Sequence, residues 1–102
     1  MNKEIAIIGV NGKMGKWFAN YFHKMGFRVK GFDTNNEIKE KFIEKANSLV
    51  SAILQIDYVL LCTPTKNTPE IIRLIAKEMK RGSYLIEISS QKSKTALTLL
   101  KT

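Results

Sequence analysis

The sequence predicts an α/β domain of the doubly wound kind, a parallel sheet with helices on both faces, and three observations carry that prediction. A short apolar run from Glu4 to Ile8 passes through a cluster of glycines directly into a helical pattern. A second run, Tyr58 to Cys62, is apolar without alternation, as a strand buried on both faces must be. Strand and helix patterns then alternate in the order β-α-β-α-(β)-β-α-β-α, which short connections turn into a parallel sheet. Residues 1–102 read as a single domain, with no linker, repeat or low-complexity stretch.

The glycine cluster, Gly9-Val10-Asn11-Gly12-Lys13-Met14-Gly15, stands between the first strand and the first helix. Glycines at such a turn allow a tight bend, let the backbone approach a pyrophosphate, and let the helix pack closely on the strand. The unpaired N–H groups and positive dipole end of the helix then face the anion. The spacing Gly-x-x-Gly-x-x-Gly differs by one residue from the commoner Gly-x-Gly-x-x-Gly, and an ordinary strand-to-helix turn is the competing reading. An acidic residue about 20 positions further on, Asp33, at the end of the next strand pattern, favours a dinucleotide. The site is therefore expected to be Rossmann-like, with Gly9, Asn11, Gly12, Lys13, Met14 and Gly15 on the phosphates and Asp33 on the adenosine ribose. No arginine follows Asp33 to hold a 2′-phosphate, so NAD is favoured over NADP.

Along the first helix, Met14, Trp17, Phe18, Tyr21, Phe22 and Met25 recur at helical spacing and are expected to lie on the sheet as core. His23, the only histidine, falls on the opposite side and is expected in solvent, and Gly26 closes the helix in a left-handed residue. Phe27 to Asp33 reads as the second strand. Ile38, Phe42, Ile43 and Ala46 suggest a short amphipathic helix, Ser48 to Ser51 a third strand, and Ala52 to Gln55 a single turn. After the Asp57–Cys62 strand, Thr63-Pro64-Thr65 is expected at the carboxyl edge of the sheet beside the glycine loop, where open α/β sheets bind ligands. Thr68-Pro69-Glu70 opens a helix and Lys77, Lys80, Arg81 and Gly82 close it. Tyr84 to Ile88 is the fifth strand, Ser89 to Ser93 the loop leaving it, and Lys94 to Leu100 the start of a final helix.

The net charge is +8, but the lysines are spread over helix faces among glutamates, and neither a basic cluster nor an aromatic stacking platform for nucleic acid is present. No apolar run approaches the ~18 residues of a membrane span. The first residues carry no signal-peptide pattern, so a cytoplasmic protein is expected. Cys62 is the only cysteine and excludes an intrachain disulfide. It reads as a small hydrophobe at a strand end rather than a nucleophile.

Three segments together resemble the prephenate dehydrogenases, arogenate-type relatives included. They are Ile7-Ile8-Gly9-Val10-Asn11-Gly12-Lys13-Met14-Gly15-Lys16-Trp17-Phe18, Cys62-Thr63-Pro64-Thr65 with Thr68-Pro69-Glu70-Ile71-Ile72, and Glu87-Ile88-Ser89-Ser90-Gln91-Lys92. The last is similar to the family's Asp-x-x-Ser-x-Lys segment, with Glu87 in place of its aspartate. The resemblance spans nearly the whole chain but only the nucleotide-binding half of such an enzyme. It implies oxidative decarboxylation of prephenate to 4-hydroxyphenylpyruvate, with Thr63, Pro64 and Thr65 near the cofactor and Ser90 and Lys92 near the substrate. It also implies that the base histidine lies downstream of Lys92, and that a separate helical domain completes the substrate site and makes the full-length protein a homodimer. This chain alone is then expected to be inactive. Two other readings stay open: a stand-alone nucleotide-binding regulatory or interaction module, and the nucleotide domain of a 3-hydroxyacid-type dehydrogenase.

Overall fold

The computed structural model describes residues 3–35, 37–62, 68–91 and 94–101. Strand β1 (Glu4–Ile8) leads into helix α1 (Lys13–Lys24), and β2 (Arg28–Phe32), β3 (Ile43–Lys45), α2 (Leu49–Ile53), β4 (Tyr58–Leu61), α3 (Thr68–Glu78), β5 (Tyr84–Gln91) and β6 (Lys94–Lys101) follow. All six strands form one sheet in the order β3-β2-β1-β4-β5-β6. The first five are parallel, and β6 returns antiparallel along β5 with Tyr84 opposite Lys101. The chain therefore leaves β1 toward β2 on one side and comes back to β4 on the other. That reversal opens a crevice at the carboxyl ends of the strands.

Alternation along the strands sorts the core into two layers. Ile5 and Ile7 of β1, with Val29 and Leu60, face α1 and meet Ala19, Phe18 and Phe22. Ala6 and Ile8, with Val59, Leu61 and Leu85, face the other way and meet Ala52 and Ile53 of α2 and Ile75 of α3. The central strands β1 and β4 are buried on both faces, as their unbroken apolar runs required. Helix α1 ends as expected, with Gly26 at φ +90° and its N–H on the His23 carbonyl. Helix α3 begins at Thr68-Pro69-Glu70, and Gly82 at φ +84° follows its end. Among the described residues no helix is long and apolar enough to cross a membrane.

Five expectations are corrected. Residues 38–46 form no helix: Ile43–Lys45 become an edge strand on β2, with Val29 opposite Ile43, and Ile38 and Phe42 fill the layer under α1. Ser48 to Ser51 is no strand. It starts α2, because the Ser48 hydroxyl accepts the Ser51 N–H and the Ser51 hydroxyl accepts the Ser48 N–H, a reciprocal cap. Lys94 to Leu100 is β6 rather than a helix, and Ser89 to Gln91 belong to β5 rather than to a loop. The aromatic stripe is only partly core: Phe18 and Phe22 pack inward, whereas Trp17, Tyr21 and Met25 are 60%, 45% and 61% exposed. The Trp17 and Tyr21 rings cover each other, stacked at 5.5 Å and nearly parallel. His23 is exposed as expected, but its ring stacks on Phe42 at 4.2 Å.

Gly31 in the middle of β2 is explained by its neighbours. A Cβ there would stand 2.6 Å from Ile43 Cγ2 and 3.0 Å from Val10 Cγ1. Both of those side chains are buried. Gly31→Ala should therefore overpack this layer and destabilise the domain by about 1–3 kcal/mol, read as a lower urea midpoint. In the Ile43→Ala background the same change should cost clearly less, because the blocking methyl is gone.

Candidate functional site

The crevice is built from the end of β1 outward. Parallel pairing sets Ile8 opposite Phe32, which brings the residues after each strand side by side. The N–H groups of Gly9 and Val10 both reach the Phe32 carbonyl, at 2.8 and 3.3 Å, so the loop leaves β1 already tied to β2. Gly9 takes φ +84°, a left-handed turn that glycine adopts without strain. Gly12 then donates its N–H to the Gly9 carbonyl at 3.1 Å and serves as the N-cap of α1.

The glycines divide the work. At Gly15 a Cβ would lie 2.2 Å from the Gly9 carbonyl oxygen and 2.8 Å from Val10 Cα, so only hydrogen lets α1 sit this close to β1. At Gly12 a Cβ would meet nothing nearer than the Gly9 oxygen at 3.4 Å, an ordinary contact. Gly12 is exposed, and no fold contact demands a glycine there. The first turn of α1, with Lys13 and Met14, contains no acidic residue and no side-chain cap, so nothing within it offsets the positive end of the helix dipole, and its N-cap Gly12 lines the crevice.

Asp33 closes the other side. Its Oδ2 accepts the Asn11 N–H at 2.9 Å and its Oδ1 accepts the Asn35 N–H at 3.0 Å. The Asn11 side chain donates in turn to the Asn35 carbonyl at 2.7 Å. Gly9, Asn11, Gly12 and Asp33 line a crevice of about 490 Å³ with Thr34 and Asn35, walled by Ile8, Phe32, Leu49, Ile71 and Cys62. A carboxylate and free helix amides at one end of an apolar cleft suit a ligand with a planar apolar part, hydroxyls and an anionic link.

Of the sequence candidates, the structure gathers Gly9, Asn11, Gly12 and Asp33 around this cleft. Gly15 stands behind the loop as a packing glycine. Lys13 and Met14 lie in the first turn of α1 and border a shallow apolar hollow with Trp17 and Phe18. Thr63, Pro64, Thr65 and Lys92 lie outside the described residues, and Ser90 is in β5 opposite Thr95. Leu49 and Ile71 are lining residues that the sequence reading missed. The signal for Leu49 was present in the Ser48-x-x-Ser51 spacing, which starts a helix at that point. Among the described residues no group of three or more His, Cys, Asp or Glu could hold a metal.

Cys62 follows β4 and donates its N–H to the Ile8 carbonyl at 2.8 Å. Burial pushes its thiol up to about 12. The thiolate is the reactive form, so at pH 8 alkylation of Cys62 by iodoacetamide should run more than tenfold slower than that of free cysteine. The rate should rise with pH well beyond 9, and a rate like that of free cysteine at pH 8 would show the thiol to be open.

A family model described as the NAD binding domain of 6-phosphogluconate dehydrogenase matches residues 4–102. A probable arogenate/prephenate dehydrogenase of Methanocaldococcus jannaschii is 34% identical over 96 residues, covering 89% of this chain and 22% of that protein. This chain thus spans about a fifth of that relative's length. Among solved structures, NAD-dependent formate dehydrogenase from Staphylococcus aureus in complex with NAD superposes with TM-score 0.75 at 22% identity, over 90% of this chain and 28% of that one. Prephenate dehydrogenase from A. aeolicus in complex with hydroxyphenyl propionate and NAD+ gives 0.74 at 24% identity, over 92% and 36%. At these identities the two structures establish the fold.

The two glycines should separate fold from binding. Gly15→Ala should lower stability by about 1–3 kcal/mol, since a backbone carbonyl must move. Gly12→Val should leave the circular dichroism spectrum and melting temperature near wild type and yet abolish dinucleotide binding in a calorimetric titration. Normal binding by Gly12→Val would reduce the loop to a turn.

Proposed function

The chain belongs to the family of the NAD-binding domain of 6-phosphogluconate dehydrogenase, and we propose that it serves as the nucleotide-binding domain of a prephenate or arogenate dehydrogenase. The single observation that carries the nucleotide assignment is the pairing of an open helix N-terminus at Gly12 with the Asp33 carboxylate across one cleft. The match to the M. jannaschii relative and the Glu87-Ile88-Ser89-Ser90-Gln91-Lys92 segment support the narrower enzyme class.

The residues present fit the cofactor. Gly12 leaves room for a diphosphate against the backbone, and the first-turn amides of α1 with the Lys13 ammonium would hold its charge. Asp33 would accept hydrogen bonds from both adenosine ribose hydroxyls, because each oxygen has one backbone donor and a further lone pair. Ile8, Phe32, Leu49 and Ile71 would sandwich the apolar base. A 2′-phosphate at the same point would face the carboxylate with no arginine to offset it, so NAD is preferred over NADP. NAD, when bound, takes up a hydride from the substrate's hydroxyl-bearing carbon. Thr63, Pro64 and Thr65 follow β4 in sequence and are assigned to the cofactor's other half. Ser90 and Lys92 are assigned to orienting prephenate.

Hydride loss from an alcohol carbon needs a base on the hydroxyl. The only histidine, His23, stands at the far end of α1 from the glycine loop and stacks on Phe42. Serine and threonine hydroxyls orient but do not take that proton at neutral pH, and an ordinary lysine with pKa near 10.4 is already protonated. The likeness to prephenate dehydrogenases assigns the base to a histidine downstream of Lys92 and the dimer contacts to a separate helical domain. In calorimetry the chain should bind NAD more tightly than NADP, and with prephenate and saturating NAD it should give no rise in NADH absorbance. A chimera in which this chain replaces the matching segment of the M. jannaschii relative should turn over prephenate or arogenate with NAD. A chimera that folds and binds NAD but oxidises neither substrate would overturn the enzyme class and leave the cofactor assignment standing.

A further inference from the structure

We infer that the Asn11 side chain sets the cofactor preference of this site by latching the turn that carries Asp33 to the glycine loop. The inference rests on the NAD site proposed above and adds a positioning residue to it.

The hydrogen bonds form a closed ring across 22 to 24 residues of sequence. The Asn11 backbone N–H holds Asp33 Oδ2, the Asn35 backbone N–H holds Asp33 Oδ1, and Asn11 Nδ2 returns to the Asn35 carbonyl. The Asn35 side chain extends the ring outward by accepting the Glu37 N–H at 3.3 Å. Two amides fix the plane of the carboxylate and occupy one lone pair of each oxygen, leaving one on each for a ribose hydroxyl. For a 2′-phosphate to enter, the carboxylate must swing away and residues 33–35 must move outward. The backbone contacts alone do not resist that movement as a unit, because the Asp33–Asn35 bond is local and travels with the turn. The Asn11 amide to the Asn35 carbonyl is the second bond that ties the turn back to the loop, and the one that survives when the carboxylate swings away from the Asn11 N–H. Its removal leaves the turn held to the loop only through the Asn11 N–H on Asp33, the contact that is lost when the carboxylate swings away.

Asparagine is suited to this position because one residue supplies both a main-chain donor to the carboxylate and a side-chain donor to the carbonyl beyond it. Aspartate would set an acceptor against that carbonyl, and alanine would leave it to water. The bond lies at the surface, so its loss should change affinity ratios by roughly fivefold rather than by orders of magnitude.

The test is a calorimetric double-mutant cycle on the full 102-residue chain, with NAD and NADP titrated into wild type, Asn11→Ala, Asp33→Ala and the double variant. Asn11→Ala should weaken NAD and spare or improve NADP, so that the NADP-to-NAD ratio of dissociation constants falls about fivefold while the circular dichroism spectrum is unchanged. In the Asp33→Ala background the same substitution should leave the ratio unmoved, because no carboxylate remains to be positioned. A ratio unchanged in Asn11→Ala, or an equal fall with and without Asp33, would overturn the latch and leave the NAD site intact. Indifference of the ratio to Asp33→Ala would instead overturn the ribose assignment, and the latch with it.

Discussion

Everything at the carboxyl edge depends on how closely α1 approaches β1, and that approach is set by one missing methyl group. A Cβ on Gly15 would lie 2.2 Å from the Gly9 carbonyl, so any other residue must push the helix off the strand. With the helix seated, Val10 drops fully into the core over Gly31, and Gly12 becomes the N-cap. The first-turn amides then open onto the cleft instead of into protein. The loop is a consequence of the packing behind it.

The second constraint is the register of β1 and β2. Parallel pairing of Ile8 with Phe32 makes the Phe32 carbonyl an acceptor for two loop amides and leaves Asp33 as the first residue free of the sheet. A carboxylate one position earlier would replace Phe32 on the apolar face that packs against α2 and α3, and one later would belong to the turn. The cleft therefore pairs an anion-attracting helix end with an anion, close together. A ligand must place its phosphates toward the former and neutral hydroxyls toward the latter, which is how a dinucleotide half is laid out. The same logic explains the walls: α2 and α3 pack on the face opposite α1, and their Leu49 and Ile71 complete an apolar slot above Ile8 and Phe32.

How much of this was legible depends on whether the information was local. The strand β1, the glycine loop, α1, β2, β4, α3 and β5 were readable because each carries its own period, cap or glycine stop. Residues 38–46 misled because Ile38, Phe42, Ile43 and Ala46 satisfy a helical period. The deciding contacts there, Ile43 beside Val29 and Ala46 N–H on the Gly31 carbonyl, exist only once β2 is in place. Lys94 to Lys101 misled for the same reason, since its leucines suit either period and its strand pairing is with β5. Ser48 to Ser51 carried its signal openly, but as a serine pair where Glu or Gln is usual at the third helical position. In α1 the apolar stripe is broader than the face a sheet can cover. Phe18 and Phe22 take the sheet, and Trp17 and Tyr21 are left to stack on each other.

The cofactor site divides along the same line. The meeting of Gly12 and Asp33 at one cleft was legible because the fingerprint ties residue type to spacing, and both positions follow from backbone geometry that any strand–turn–helix unit shares. What Asn11 does could not be read that way. Its two donors serve different acceptors, one on Asp33 and one on Asn35, and the distance between those acceptors is fixed by the turn after β2, not by the loop that holds Asn11. A residue that joins two loops has no period and no motif of its own. Only the pairing of Ile8 with Phe32, which puts the two loops side by side, gives its side chain something to hold.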